Sequence, residues 1–506
     1  MKHAFEKIPQ LFFLITLVTG LFLFTDYGIS WDEPIQRELG NANWNYVLHN
    51  DDSLFHLINQ YHGAFIEIIE ILPEKVFHLQ NEKTIFLSRH LINYFIFWLG
   101  TVFLFLLGKE VLKNYRFALL TVLMLYLTPR IFAQSFYNSK DIPLLSFFII
   151  CNYVTLRFLN HPNFILALLL AVVSGMLFAI RIVGIIIPVF TVILFVINLV
   201  NNRHSLSQLK YLLVFIILYP LFAILFYPVL WHDPIGGVRE SFTLFSHFFY
   251  NDPQFFMGKL IHPQEVPWFY IPVWMAITIP PVWQFMFLFG AAALIIFLMK
   301  GLKNLFQNVT SELLLLSWLL IPWLTVVFLH SAVYDEWRHL FFIYPAFLLI
   351  SVYGIKLSMN LQSRRLRILF MTMCGGLVGI QCVYVVFFML VNHPFENVYF
   401  NFLAGKHPEK KFDLDYWGLS YRQGLEYLVE HAKEDTIKAA WQNAPGNFNL
   451  IWLNEQERKR IQETSLDSCN YFLTNFRFHP DSYMDSAWYI IRVNFSILAI
   501  EKVHEN

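Results

Sequence analysis

The segment Ser30-Trp31-Asp32-Glu33-Pro34 sets two adjacent carboxylates just past an apolar stretch that runs to about Thr25. In this setting a carboxylate is either a hydrated span end or a base able to take a proton from an acceptor hydroxyl. Other polar groups recur between apolar blocks: Tyr137-Asn138-Ser139-Lys140-Asp141, Arg181, and Tyr334-Asp335-Glu336-Trp337-Arg338-His339. His232-Asp233, His262 and Glu265 are weaker signals of the same kind. Fixed cations suit a leaving phosphate. The chemistry that joins the two sets is transfer from a phosphate-linked donor. Asp32 would serve as the base, and Lys140, Arg181, Arg338 and His339 would hold the phosphate. A lipid-tethered donor would place that site at the membrane surface.

Each residue also has a plainer reading. Ser30-x-x-Glu33 fits a capping box with Pro34 in the first turn, which accounts for Glu33 but not for Asp32. Asp141 suits the positive end of a helix. Arg181 could snorkel to headgroups, and Arg338-His339 could anchor a span in the interface. Cys151, Cys374 and Cys382 read as small buried hydrophobes, and with Cys469 they show no metal-type spacing. The stronger signal is collective, because all the candidates fall on one predicted side of the membrane.

That side follows from the elements that carry them. Of the 506 residues, 57% are hydrophobic and only 14% charged, in long apolar blocks, so the chain is a polytopic membrane protein. Its formal net charge of zero gives no reason to expect a nucleic-acid partner. About eleven spans are expected at roughly 20 residues each: 10–26, 84–108, 117–135, 142–158, 163–180, 183–200, 211–230, 271–299, 312–330, 339–358 and 368–391. The first lacks a cleavage site and reads as retained. With the amino terminus in the cytoplasm, the inner segments are basic (Lys2, Lys7, Lys109, Lys113, Arg116, Arg157, Arg203, Lys210, Lys300, Lys303, Lys356, Arg364, Arg365, Arg367). The outer side then collects Asp32, Glu33, Glu67, Glu70, Asp141, Asp233, Asp335 and Glu336. No candidate falls at a span's middle, which argues against a transporter or flippase of lipid-linked sugars, the rival reading. A non-catalytic scaffold would leave the outer cations unexplained.

Two outer loops are long. Residues 27–83 carry Phe55, Ile58, Tyr61, Phe65, Ile68, Ile69 and Leu72 at helical spacing, the pattern of amphipathic helices at the membrane surface. Residues 231–270 are rich in aromatics, among them Phe248, Phe249, Phe255, Phe256, Trp268, Phe269 and Tyr270. The core is expected over 1–392. From 393 to 506 a small outer-face α/β domain is expected, with a helix near Tyr421–Lys433 and strands over Thr436–Trp441, Tyr471–Phe476, Trp488–Val493 and Ile497–Val503. Its run Phe412-Asp413-Leu414-Asp415-Tyr416-Trp417-Gly418 suits packing back on the core.

An acidic pair in the first outer loop, a cytoplasmic amino terminus and a large polytopic core resemble the C-type superfamily of membrane glycosyltransferases. The likeness is greatest to protein O-mannosyltransferases and lipid A aminoarabinose transferases. Phe136-Tyr137-Asn138-Ser139-Lys140-Asp141-Ile142-Pro143 and Tyr334-Asp335-Glu336-Trp337-Arg338-His339 are similar to segments of bacterial members. The resemblance covers roughly 1–392. It implies a polyprenyl-phosphate-sugar donor and inversion at the anomeric carbon, at the outer face of a bacterial inner membrane. The acceptor would be a lipid, glycan or protein. The resemblance makes Asp32 the catalytic carboxylate and Glu33 a residue that binds or orients substrate. Lys140, Asp141, Arg181, Arg338 and His339 would complete the substrate site. Branches of the superfamily differ in metal use. This sequence offers no metal cage, so no obligatory metal is expected, although a divalent ion would be compatible with the resemblance.

Overall fold

The computed structural model describes residues 7–246, 251–300, 310–359, 362–481, 483 and 487–503. Lys2, Phe248, Phe249 and Lys303 lie outside the described residues, as does the side chain of Lys300.

Among the described residues, eight helices are long and apolar enough to cross a membrane: Glu82–Leu112, Asp141–Asn160, Ile182–Val200, Leu206–Leu225, Pro281–Met299, Thr310–Leu329, Arg338–Ser358 and Arg364–Asn392. A ninth is a bent pair, Tyr115–Tyr126 and Pro129–Tyr137, which meet at 71°. Ile8–Leu23 and Phe164–Ile180 are apolar but shorter. The chain is a multi-pass membrane protein: of the about eleven expected spans, eight fall on helices of spanning length, one on the bent pair and two on the shorter helices. The departures have local causes. Thr128 precedes Pro129 and takes an extended backbone, which breaks the expected 117–135 span. Ile279 is likewise extended before the Pro280-Pro281 pair, so the expected 271–299 span divides into Tyr270–Thr278 and Pro281–Lys300. The carbonyls freed at that break are taken up: Asn401 Nδ2 donates to Ala276 O and Ile279 O, both at 2.7 Å.

The 27–83 loop holds two helices, Glu33–His49 and Phe65–Val76. The second turns two acids toward the protein together with its apolar residues Ile66 and Ile71. Glu67 and Glu70 are buried against Arg89 at 2.9 and 2.6 Å, whereas Leu72 on the opposite side is exposed. Ile58 belongs to neither helix and is exposed. The 231–270 loop contains the Pro234–Ser246 helix and a hairpin of strands β1 (Gln254–Phe256) and β2 (Lys259–Ile261). Both turn residues, Met257 and Gly258, have positive φ (52° and 81°), as a tight two-residue hairpin requires.

After Asn392 an irregular strap runs to the Tyr421–His431 helix. A five-stranded sheet follows, built from β3 (Ile437–Trp441), β4 (Ile461–Glu463), β5 (Tyr471–Thr474), β6 (Ala487–Val493) and β7 (Phe495–Lys502), in the order β4-β3-β5-β7-β6. β3 runs parallel to β4 and β5, and β7 is antiparallel to β5 and β6. The four expected strands fall on β3, β5, β6 and β7. The short strands β1, β2 and β4 carry too little pattern to be read. Two cores meet inside the 393–506 region. Leu425, Leu428, Ile437, Leu473 and Ile500 form the sheet's own core. Phe412, Tyr416, Trp417 and Leu419 of the strap join the main core of the membrane helices.

Candidate active site

Asp32 is the last residue before the Glu33–His49 helix, and its side chain makes no capping hydrogen bond. Its carboxylate is 30% exposed and faces a cavity of about 260 Å³, which Lys140, Arg181, Arg338 and His339 also line. The cavity wall includes Trp31, His62, Tyr334, Asp335, Trp417 and Arg477 as well. Groups from four separate stretches of sequence thus converge on one space.

Buried carboxylates hold the cations in place. Arg338 Nη1 lies 3.1 Å from Asp141 Oδ2 and 3.5 Å from Asp32 Oδ2, and its Nη2 lies 3.3 Å from Asp335 Oδ2. Arg181 Nη1 is 3.0 Å from the other Asp141 oxygen. Asp141 therefore bridges two arginines from behind and leaves their outer faces toward the cavity. The Arg338 guanidinium also lies 5.0 Å above the Tyr334 ring and 4.9 Å above Trp417.

The turn that presents Arg338 is itself under tension. Asp335 and Glu336 both have positive φ (54° and 64°), a conformation costing of order 1–3 kcal/mol per non-glycine residue. Ion pairs hold both. Asp335 meets Arg338 and, at 3.0 Å, Arg477. Glu336 meets Arg130 at 2.7 Å and accepts from Gln134 Nε2 and the Tyr416 hydroxyl, both at 2.8 Å. Burial pushes the Glu336 carboxyl upward, against the pull of Arg130. Asn138 extends the network, donating to Gln134 Oε1 at 2.7 Å and to Asp141 at 3.1 Å.

Lys140 is buried at the cavity wall, and among the described residues its ammonium has no hydrogen-bond or ion-pair partner. Burial lowers its pKa to about 8, against the pull of Glu67. Burial holds His62 well below the ordinary histidine range, and Lys140 and Arg181 push it the same way, so its imidazole is neutral at pH 7. Burial pushes the Tyr334 phenol up to about 12, and it stays protonated.

Glu33 sits behind the wall. Its Oε2 accepts from Ser30 N at 2.7 Å and its Oε1 pairs with His90 Nε2 at 2.8 Å. This is one half of the expected capping box, since Ser30 Oγ has no partner among the described residues. His232, His262 and Glu265 lie away from the cavity and are exposed. Sequence reasoning missed His62, Asn59, Trp417 and Arg477 as wall residues, and named Asp335 in its polar group without giving it a role. Arg477 had one weak signal, its place between two aromatics in Phe476-Arg477-Phe478 just after a predicted strand. Among the described residues, no three His, Cys, Asp or Glu side chains converge so as to hold a metal ion.

Residues 80–232 match the family described as dolichyl-phosphate-mannose-protein mannosyltransferase, a segment that contains Lys140, Asp141 and Arg181. Among solved structures, ArnT from Cupriavidus metallidurans in the apo state aligns with a TM-score of 0.52 at 13% identity, covering 97% of each chain. The same protein bound to undecaprenyl phosphate aligns at 0.50 and 12% identity, covering 98% of each chain. No curated protein sequence gives a match. At this identity the alignment with ArnT establishes a shared fold along nearly the whole chain. This chain is accordingly a multi-pass membrane protein with the ArnT fold, resembling the C-type membrane glycosyltransferases and, among them, the mannosyltransferases and ArnT.

Proposed function

We propose that this protein transfers a sugar from a polyprenyl-phosphate-linked donor to an acceptor on the extracytoplasmic side of a bacterial inner membrane, with inversion at the anomeric carbon. The observation that carries this reading is the meeting of Asp32 with Lys140, Arg181, Arg338 and His339 in one cavity. Asp141 and Asp335 are each engaged by two arginines. Asp32 has one contact at 3.5 Å and is partly exposed, so it is the carboxylate free to meet an acceptor.

In the proposed step the acceptor oxygen attacks the anomeric carbon while its proton passes to the Asp32 carboxylate. The bond from that carbon to the phosphate oxygen breaks, and its electron pair leaves with the polyprenyl phosphate. Lys140, Arg181 and Arg338 hold the charge that develops there. A single displacement by the acceptor inverts the anomeric centre, and it needs only one free carboxylate. His339 stands at the same wall, edge-on to Tyr334 at 4.6 Å, and helps shape the phosphate end. Glu33 contributes by fixing the start of the helix that carries Asp32. ArnT binds undecaprenyl phosphate in its solved complex, which supports a polyprenyl phosphate here.

The test is to incubate the purified protein with a panel of polyprenyl-phosphate sugars and acceptors and to follow lipid-phosphate release. Release that depends on both donor and acceptor is expected. Absence of release across the panel would count against the reading.

A further inference from the structure

The linker from the end of the Ile8–Leu23 helix to Asp32 has no regular secondary structure. A buried irregular segment must find partners for its N–H and C=O groups elsewhere. Here they come from the far end of the chain. Arg422 Nη1 donates to Thr25 O at 2.7 Å and to Tyr27 O at 3.0 Å. The Asn449 side chain bonds both polar groups of Ile29, accepting from Ile29 N at 2.8 Å and donating to Ile29 O at 2.9 Å. Trp31 N donates to Trp417 O at 3.1 Å, and the Arg477 guanidinium lies 4.9 Å above the Trp31 ring.

The seat is tight. Ile29 and Asn449 are fully buried. A Cβ added at Gly28 would stand 2.7 Å from Asn449 Oδ1 and 2.8 Å from Leu419 O, so the linker can approach this closely only with glycine there. Asp32, by contrast, has no cap bond and a single ion contact at 3.5 Å. Its own side chain does little to fix it. Its orientation is inherited from the backbone that delivers it, and the C-terminal region holds that backbone.

We infer that Asn449 and Arg422 are positioning residues, which clamp residues 25–31 so that the Asp32 carboxylate faces the cations of the cavity. The role given to Asp32 rests on the transferase reading, but the clamp itself does not. The C-terminal region thereby gains a task within the reaction centre, separate from any recognition of an acceptor.

The experiment compares the full-length parent with Asn449→Ala, Asn449→Asp and Arg422→Gln, reconstituted in lipid nanodiscs. Arg460→Ala is the control. Arg460 donates to Val429 O and Ala432 O, both at 2.7 Å, within the C-terminal region and away from the linker. Two readouts are taken: amide hydrogen exchange, and lipid-phosphate release from undecaprenyl-phosphate sugars. Exchange of the 25–31 amides should quicken by about tenfold or more in Asn449→Ala and Arg422→Gln, with β3, β5 and β7 still protected. Arg460→Ala should leave the linker unchanged. Asn449→Asp keeps the acceptor for Ile29 N and should be intermediate. Turnover in Asn449→Ala should fall by about 100-fold, the scale of a misplacement near 1 Å, with the donor KM changed far less. Unchanged linker exchange in folded variants would overturn the clamp, as would faster exchange with unchanged turnover. If the parent releases no lipid phosphate from any donor, the transferase reading fails and exchange alone decides the clamp.

Discussion

Arg338 and Asp32 stand 3.5 Å apart, while the same Arg338 nitrogen is 3.1 Å from Asp141. One guanidinium thus ties the proposed base to the buried carboxylate behind the cavity wall. Asp141 is fully enclosed and Asp32 is partly open. A substrate entering the cavity can therefore take the place of the Asp32 contact without disturbing the Asp141 contact.

Removing Arg338 should damage both stability and activity. Arg338→Ala leaves Asp141 and Asp335 short of a partner in a buried site, and losing one partner of a buried ion pair costs about 3–5 kcal/mol. A clearly lowered thermal unfolding midpoint in detergent is expected, together with loss of transfer. Arg338→Lys should recover little, because a point charge cannot reach three carboxylates as the planar fork does.

On the proposed function, Lys140 should make the reaction sensitive to pH. Its pKa is lowered to about 8, so the ammonium is charged below that pH and neutral above it. If the charge binds donor phosphate, kcat/KM should fall as pH rises through about 8. Lys140→Arg keeps its charge throughout, and its profile should lose that alkaline limb. An unaltered limb in the variant would assign it to another group.

Glu33 should behave as a structural residue. Both carboxylate oxygens are occupied, one by Ser30 N and the other by His90. Glu33→Ala leaves those partners unsatisfied, at about 1–3 kcal/mol for a buried polar group. A lower unfolding temperature is expected, with the donor KM nearly unchanged in protein that folds. A large rise in KM at unaltered stability would return Glu33 to the substrate site.

The legible parts of this molecule are those where local chemistry and local structure agree. Long apolar blocks announced the membrane helices, and strand patterning placed β3, β5, β6 and β7. Asp32, Lys140, Arg181, Arg338 and His339 were legible as polar groups at span ends, and they meet in one cavity. The breaks at Thr128 and Ile279 were lost inside apolar runs, where hydropathy masks the effect of proline on the preceding residue. Glu67 and Glu70 read only as acids of the outer side, because only the fold brings Arg89 to them. Arg477 lies 142 residues from its partner Asp335, a separation at which one sequence carries no pairing signal. The Asn449 clamp on Ile29, 420 residues away, was hidden for the same reason.

The central claim is that Asp32 takes the acceptor's proton, and one measurement reaches it most directly. Asp32→Asn keeps the shape and removes the base. Lipid-phosphate release from undecaprenyl-phosphate sugars should then fall by about 10²–10⁴-fold, the range for loss of a general base, with expression and thermal unfolding close to the parent's. Release at the parent's rate from a folded Asp32→Asn protein would contradict the assignment.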